Sequence, residues 1–263
     1  MSMLRSSSAE SAEGLLPRKD HAGPSTSQTF RDPESLEDIP LVPGLNKLDN
    51  MLRWGFIKKV YGIISAQMVL TVAVASIIIF NEPVGHFVTT SAPFQISVFA
   101  CSFLGLIPLY FYQRKHPLNL VLLGAWTALL SVSVGTTCTF YQPLIVLEAL
   151  ALTAAIVLAL TVYTFNAARK GANFSFLGPM LFGCLMALLV WSVFQIFLPP
   201  GPVQNTIFSL LGSILFSAYI VYDTDNLIQR FDLDQYIWAS VTLYLDIINL
   251  FLKILQLLNG RRD

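Results

Sequence analysis

The sequence predicts an all-α integral membrane protein of seven transmembrane helices behind a disordered N-terminal tail, and three observations carry that prediction. Of 263 residues, 54% are hydrophobic and only 12% are charged, whereas a soluble domain carries about a quarter charged residues. The excess apolar surface has to face lipid. Seven runs reach the length of about 20 mostly apolar residues that crosses a hydrocarbon core. Lys and Arg fall in alternate breaks between those runs, as a chain threading back and forth requires.

Residues 1–46 differ from the rest. SSSAESAEG, HAGPSTSQ and RDPESLEDIP are polar and rich in Pro and Ser, and such composition cannot bury enough surface to fold. They read as a disordered cytosolic tail, with 47–263 as the seven-helix transmembrane domain. A secretory signal needs an early apolar stretch of about 7–15 residues. Leu15-Leu16-Pro17 is too short, so the first span does the targeting.

The spans are expected near 58–80, 94–112, 118–140, 143–165, 175–198, 206–228 and 236–258. The breaks between them contain Pro83, Pro93, Pro117, Pro143, Gly171, Pro199-Pro200-Gly201 and Asp232-Leu233-Asp234. Lys47, Arg53, Lys58 and Lys59 precede the first span, Arg114 and Lys115 follow the second, Arg169 and Lys170 the fourth, and Arg230 the sixth. The other breaks have no Lys or Arg, which places the N-terminus in the cytosol. Arg261 and Arg262 then lie on the far side against the rule. A last helix that only re-enters the membrane would return them to the cytosol. Asn173-Phe174-Ser175 matches a glycosylation acceptor, but its loop falls on the cytosolic side next to the membrane, so it is expected to be unmodified.

Lys plus Arg and Asp plus Glu each number 16, which gives no basic surface for nucleic acid. Cys101, Cys138 and Cys184 all lie in apolar runs and read as packing residues. Thr127, Ser131 and Gly135 recur four apart on one face of the third span, the spacing at which small residues let helices approach closely.

An ionised side chain at mid-membrane costs about 2.5–3.5 kcal/mol on insertion scales, so each intramembrane carboxylate is a functional candidate. Asp223 lies in IVYDTDNLI, Asp246 in LYLDIINLF and Glu148 in VLEALAL. Asp223 and Asp246 are placed almost evenly about the polar turn Asp232–Asp234, so a hairpin of the last two helices brings them to one depth. Two carboxylates that close cannot both ionise cheaply, and they titrate as a unit. Such a pair is a proton-sensitive cation site whose oxygens suit Ca²⁺. The alternative is that each aspartate is satisfied singly by a neighbour and only ties helices together.

An EF-hand built on Asp223, Asp225 and Asp234 fails, because Leu227 and Ile228 stand where a ligand and the turn glycine belong. Asp225 reads as a helix-end or loop residue. Glu148 and Lys253 both fall toward the far-side ends of their spans, so they form a buried pair or Lys253 snorkels to the interface.

FSAYIVYDTDNLI followed by DQYIWASVTLYLDIINLFLKILQLL, with RKHPLNLVLLG, VLEALALTA and NFSFLGPMLFG upstream, resembles the Bax-inhibitor-type transmembrane family, its lifeguard branch in particular. The resemblance spans roughly residues 50 to 260 and leaves out the tail. It implies seven helices around a central C-terminal helix. It also implies a pH-dependent Ca²⁺ leak across endomembranes, of the endoplasmic reticulum or Golgi, and suppression of programmed cell death. Its paired aspartates fall on Asp223 and Asp246, whose proton occupancy would couple to opening, and its span-four carboxylate falls on Glu148. An arginine late in span two bonds the pair in some relatives, and Arg114 is the nearest candidate here. Relatives tend to be apolar or neutral where this chain has Lys253.

The implied partners are the bilayer, Ca²⁺ as transported ion, protons and death-regulatory membrane proteins, with no cofactor. Aspartyl intramembrane proteases also carry a Tyr-Asp like Tyr222-Asp223, but Tyr244-Leu245-Asp246 lacks their Gly-x-Gly-Asp and no Pro-Ala-Leu follows, which argues against an enzyme. A seven-span receptor is disfavoured by the lack of long extracellular segments or paired loop cysteines. A non-conducting interaction protein stays open as the alternative function, because lipid-facing binding surfaces leave no motif.

Overall fold

A computed structural model describes residues 40–260. The expected disordered tail, through residue 39, lies outside the described residues, as do Arg261 and Arg262. Nine helices order the described residues: α1 (Lys47–Phe80), α2 (Glu82–Thr90), α3 (Ala92–Leu104), α4 (Leu106–Tyr112), α5 (Leu118–Cys138), α6 (Pro143–Arg169), α7 (Leu177–Phe197), α8 (Pro202–Gln229) and α9 (Tyr236–Asn259). Seven segments are long and apolar enough to cross a membrane, with α3 and α4 together forming the second. That agrees with the number of spans expected from the sequence.

The differences have local causes. The first span starts at Lys47 rather than near 58, because the Asn46 side chain caps it by accepting from the Asp49 N–H at 2.9 Å. Leu41 is fully buried just ahead of that cap, and its N–H donates to Asn50 Oδ1 at 3.0 Å. A short helix, α2, occupies the break after α1; Asn81 caps it and Pro83 sits in its first turn, where a missing N–H costs nothing. The second span breaks at Gly105. Pro108 cannot donate to the carbonyl four residues back, so the ladder restarts there.

Helix α9 occupies the centre, packed against α1, α5, α6 and α8. Half of its most apolar stretch is buried, against 6% for α7, which leans mainly on α8. The α1–α5 seam is tight at Gly135, where a Cβ would lie 2.8 Å from Ile78 Cδ1 and 3.0 Å from Ala75 Cα. Thr127 and Ser131, earlier on the same face, are fully buried. A polar knot closes this seam onto α9: Gln67 Nε2 donates to Thr127 Oγ1 (2.9 Å), Ser131 Oγ donates to Thr71 Oγ1 (3.1 Å), and Thr71 shares a hydrogen bond with the Tyr244 hydroxyl (2.8 Å).

The turn from α8 to α9 is held by neighbours at the same end of the bundle. Arg53 Nη1 donates to the Phe231 carbonyl at 2.5 Å, the Lys59 ammonium lies 3.2 Å from the Tyr236 ring centre, and Asn119 Nδ2 donates to the Tyr236 hydroxyl at 2.8 Å. At the opposite end Gln256 Nε2 donates to Asn205 Oδ1 at 2.5 Å, so the α8–α9 pair is clamped at both ends.

Candidate functional site

The hairpin of α8 and α9 decides where the two aspartates meet. Asp223 lies six residues before the end of α8 and Asp246 ten residues after the start of α9, about 9 and 15 Å of helix respectively. Side chains tilt toward the N-terminus of their own helix, and these helices run in opposite directions. The Asp223 side chain therefore reaches deeper and that of Asp246 reaches shallower, and the two carboxyls meet side by side.

Asp246 is 6% exposed, and its Oδ2 has no hydrogen-bond partner among the described residues. Asp223 is partly buried; its Oδ1 accepts from Asn226 Nδ2 at 3.2 Å, and Thr242, one turn before Asp246, stands beside it. Tyr219, one turn earlier on α8, lies close enough to both carboxyls to feel their charge. This is a small oxygen-lined site with an orphaned buried acceptor, walled by two helices whose relative position is set by their shared turn.

Among the described residues, no cluster of three or more His, Cys, Asp or Glu could hold a metal ion. A cation at the pair would draw on two carboxylates, with the Thr242 hydroxyl beside them and water to complete its shell. Sparse protein ligation of that kind suits passage better than storage, because Ca²⁺ sites gain affinity with ligand number and charge.

The other sequence candidates stand apart from the pair. Arg114 is exposed in the turn between α4 and α5 and makes no ion pair with either aspartate. Glu148 lies on an exposed face near the start of α6. Lys253 does not pair with Glu148: its stem fills the notch left by Gly212, where a Cβ would lie 2.8 Å from Lys253 Cδ, and its ammonium sits 4.0 Å from the Phe208 ring centre. Its charge is thus met by a cation–π contact within the bundle.

Sequence reasoning missed Asp225. It is fully buried in the last turns of α8, its Oδ2 accepting from the Phe174 N–H at 3.1 Å and from Arg230 Nη2 at 3.4 Å, while its Oδ1 accepts from Gln229 Nε2. Gln229 also donates to the Ala172 carbonyl at 3.0 Å. Together these bonds bind the α6–α7 loop to α8. The signal was available: Tyr222, Asp225 and Gln229 recur at helical spacing, parallel to a second stripe of Tyr219, Asp223, Asn226 and Arg230.

A sequence model of the family described as Inhibitor of apoptosis-promoting Bax1 matches residues 53–263. Protein LIFEGUARD 4 of Arabidopsis thaliana is 52% identical over 209 residues, covering 78% of this chain and 85% of its own length. Protein LIFEGUARD 2 of the same plant is 47% identical over 224 residues, 84% of this chain and 93% of its own. A Golgi anti-apoptotic protein of vaccinia virus is 39% identical over 208 residues, 79% of this chain and 86% of its own.

Proposed function

Since the chain is a multi-pass membrane protein that belongs to the Bax-inhibitor family, with lifeguard proteins among its relatives, we propose that it is a pH-sensitive Ca²⁺ leak channel of endomembranes that lowers stored calcium and suppresses programmed cell death. The observation that carries this reading is the meeting of Asp223 and Asp246 inside a bundle of apolar membrane-spanning helices. Two carboxyls in contact within the membrane need a proton between them or a cation beside them. Protons and Ca²⁺ therefore compete for one site, and each changes the electrostatics of the α8–α9 seam through which an ion would pass. The names of the relatives support the biological half: the vaccinia protein is a Golgi anti-apoptotic protein, which favours residence in Golgi or endoplasmic reticulum, and the Lys/Arg alternation favours an N-terminus in the cytosol.

The test is Ca²⁺ entry into dye-loaded liposomes holding the purified protein, measured from about pH 5 to 8. Flux is expected to vary with pH in the native chain and to lose that variation in Asp223→Asn and in Asp246→Asn. Folded protein that passes no more Ca²⁺ than empty liposomes would turn the reading to a non-conducting membrane partner of death-regulatory proteins, and the aspartates would then be structural ties.

A further inference from the structure

Asn226 occupies an unusual position on α8, because its one side-chain amide serves two masters. Its Nδ2 donates to Asp223 Oδ1 at 3.2 Å, and its Oδ1 accepts from Arg230 Nη1 at 2.5 Å. Arg230 in turn reaches the α6–α7 loop, its Nη2 donating to Asn173 Oδ1 at 2.6 Å and to Asp225 Oδ2 at 3.4 Å. Asn173 Oδ1 also accepts from the Ser175 N–H at 2.9 Å, and Asp225 Oδ2 from the Phe174 N–H at 3.1 Å. An unbroken line of hydrogen bonds thus runs from the buried carboxyl pair to a loop at the bundle's end.

We propose that Asn226 is a positioning residue and Arg230 its output, together relaying the occupancy of the aspartate pair to the α6–α7 loop. An amide has one oxygen. In the arrangement described here Arg230 holds that oxygen and Asp223 receives the N–H. A Ca²⁺ ion at the pair attracts oxygen and not N–H, and a protonated Asp223 donates where it formerly accepted. Either occupant claims the oxygen that Arg230 holds, the amide turns, and Arg230 loosens its grip on Asn173. The charged and titratable groups around the relay are Asp225 and Tyr222 beside Arg230, Asp246 and Tyr219 near Asp223, and Cys184 of α7 near Tyr219. Helix α7 carries no Asp, Glu, Lys or Arg, and to the relay the loop contributes backbone N–H groups and an amide.

The inference rests on the proposed cation and proton site, and its test separates the two. Deuterium uptake by peptides spanning 172–177 is followed by mass spectrometry on the full chain in lipid nanodiscs, at fixed neutral pH, with and without millimolar Ca²⁺. Ca²⁺ is expected to speed uptake by about five- to tenfold, the loss of roughly one hydrogen bond. Asn226→Leu should raise basal uptake and abolish the response, and Asn226→Asp, which keeps the shape and removes the donor, should blunt it.

A cycle that needs no cation runs in parallel. Asp223→Leu strands the Asn226 donor and should speed uptake at 172–177 in the native background, with no further effect when combined with Asn226→Leu. Equal effects of Asp223→Leu in both backgrounds overturn the relay whatever the flux. A coupled cycle in a protein that neither responds to Ca²⁺ nor conducts it keeps the relay and removes the leak.

Discussion

Asp225 shows how much one buried carboxylate can hold. Its two oxygens take hydrogen bonds from Phe174, Gln229 and Arg230, and its side chain is fully buried while that of Arg230 is 32% exposed. Removing it leaves a backbone N–H without a partner and a guanidinium without its counter-charge. Asp225→Ala is expected to cost about 2–4 kcal/mol, read as an earlier midpoint in denaturation of the detergent-solubilised protein, and to free the α6–α7 loop for proteolysis; an unchanged midpoint would show the loop is held by something else. Asp223 and Asp246 were legible in the sequence because a carboxylate inside an apolar run is conspicuous. Asp225 was not, because a charge one turn from a helix end is ordinary, and only its spacing from Tyr222 and Gln229 hinted at a second buried stripe. Lys253 stayed ambiguous for a related reason: its long stem can serve either a pair or an interface, and its place is set by Gly212, just over forty residues away, whose missing side chain leaves the notch it fills.

At the scale of the element, the seven spans could be read because lipid imposes one length on every crossing helix. What composition could not show was where a span is interrupted or extended. The break at Gly105 was encoded by Pro108, and the early start of α1 by Asn46, both single residues inside or beside otherwise convincing runs. The stripe Thr127, Ser131 and Gly135 was read as a packing face, and it is one: it carries α5 against α1. With Ala75 Cα only 3.0 Å from where a Cβ at Gly135 would stand, and backbone unable to swing aside, Gly135→Val should prise the two helices apart. A loss of about 1–3 kcal/mol is expected, whereas Gly183→Val, at a glycine with open space around it, should be tolerated. Equal stability of the two variants in thermal unfolding would contradict the tight seam.

At the scale of the whole molecule, the alternation of basic loops sets an orientation that can be checked chemically. Lys47, Arg114, Lys115, Arg169, Lys170 and Arg230 belong to segments that enter or leave the bundle at the α8–α9 end, and that end is expected to face the cytosol. Asn173 lies there, its side-chain oxygen already engaged by Arg230 and by the Ser175 N–H. Expression in eukaryotic microsomes should yield a chain whose mobility does not change on treatment with an N-glycosidase, while an acceptor site introduced beside Glu82, in the break at the other end, should be modified. The reverse pattern would invert the molecule. The central place of α9 came from family resemblance and not from periodicity, since lipid and protein neighbours are equally apolar and a helix buried on all sides looks like any other span.

The contrast between α9 and α7 carries a consequence for how freely the chain can drift. Helix α9 touches four others and buries polar as well as apolar residues around its circumference, whereas most of α7 meets only lipid. Acyl chains are indifferent to which aliphatic side chain they meet, so α7 can exchange Leu, Val, Phe and Met almost at random along its outer faces while keeping its seat on α8 near Gly178, where a Cβ would lie 2.7 Å from the Tyr222 hydroxyl. A saturation library should therefore tolerate replacements over most of α7 and reject them nearly everywhere along α9. The template on which the other helices are arranged follows all of them in the order of the described chain.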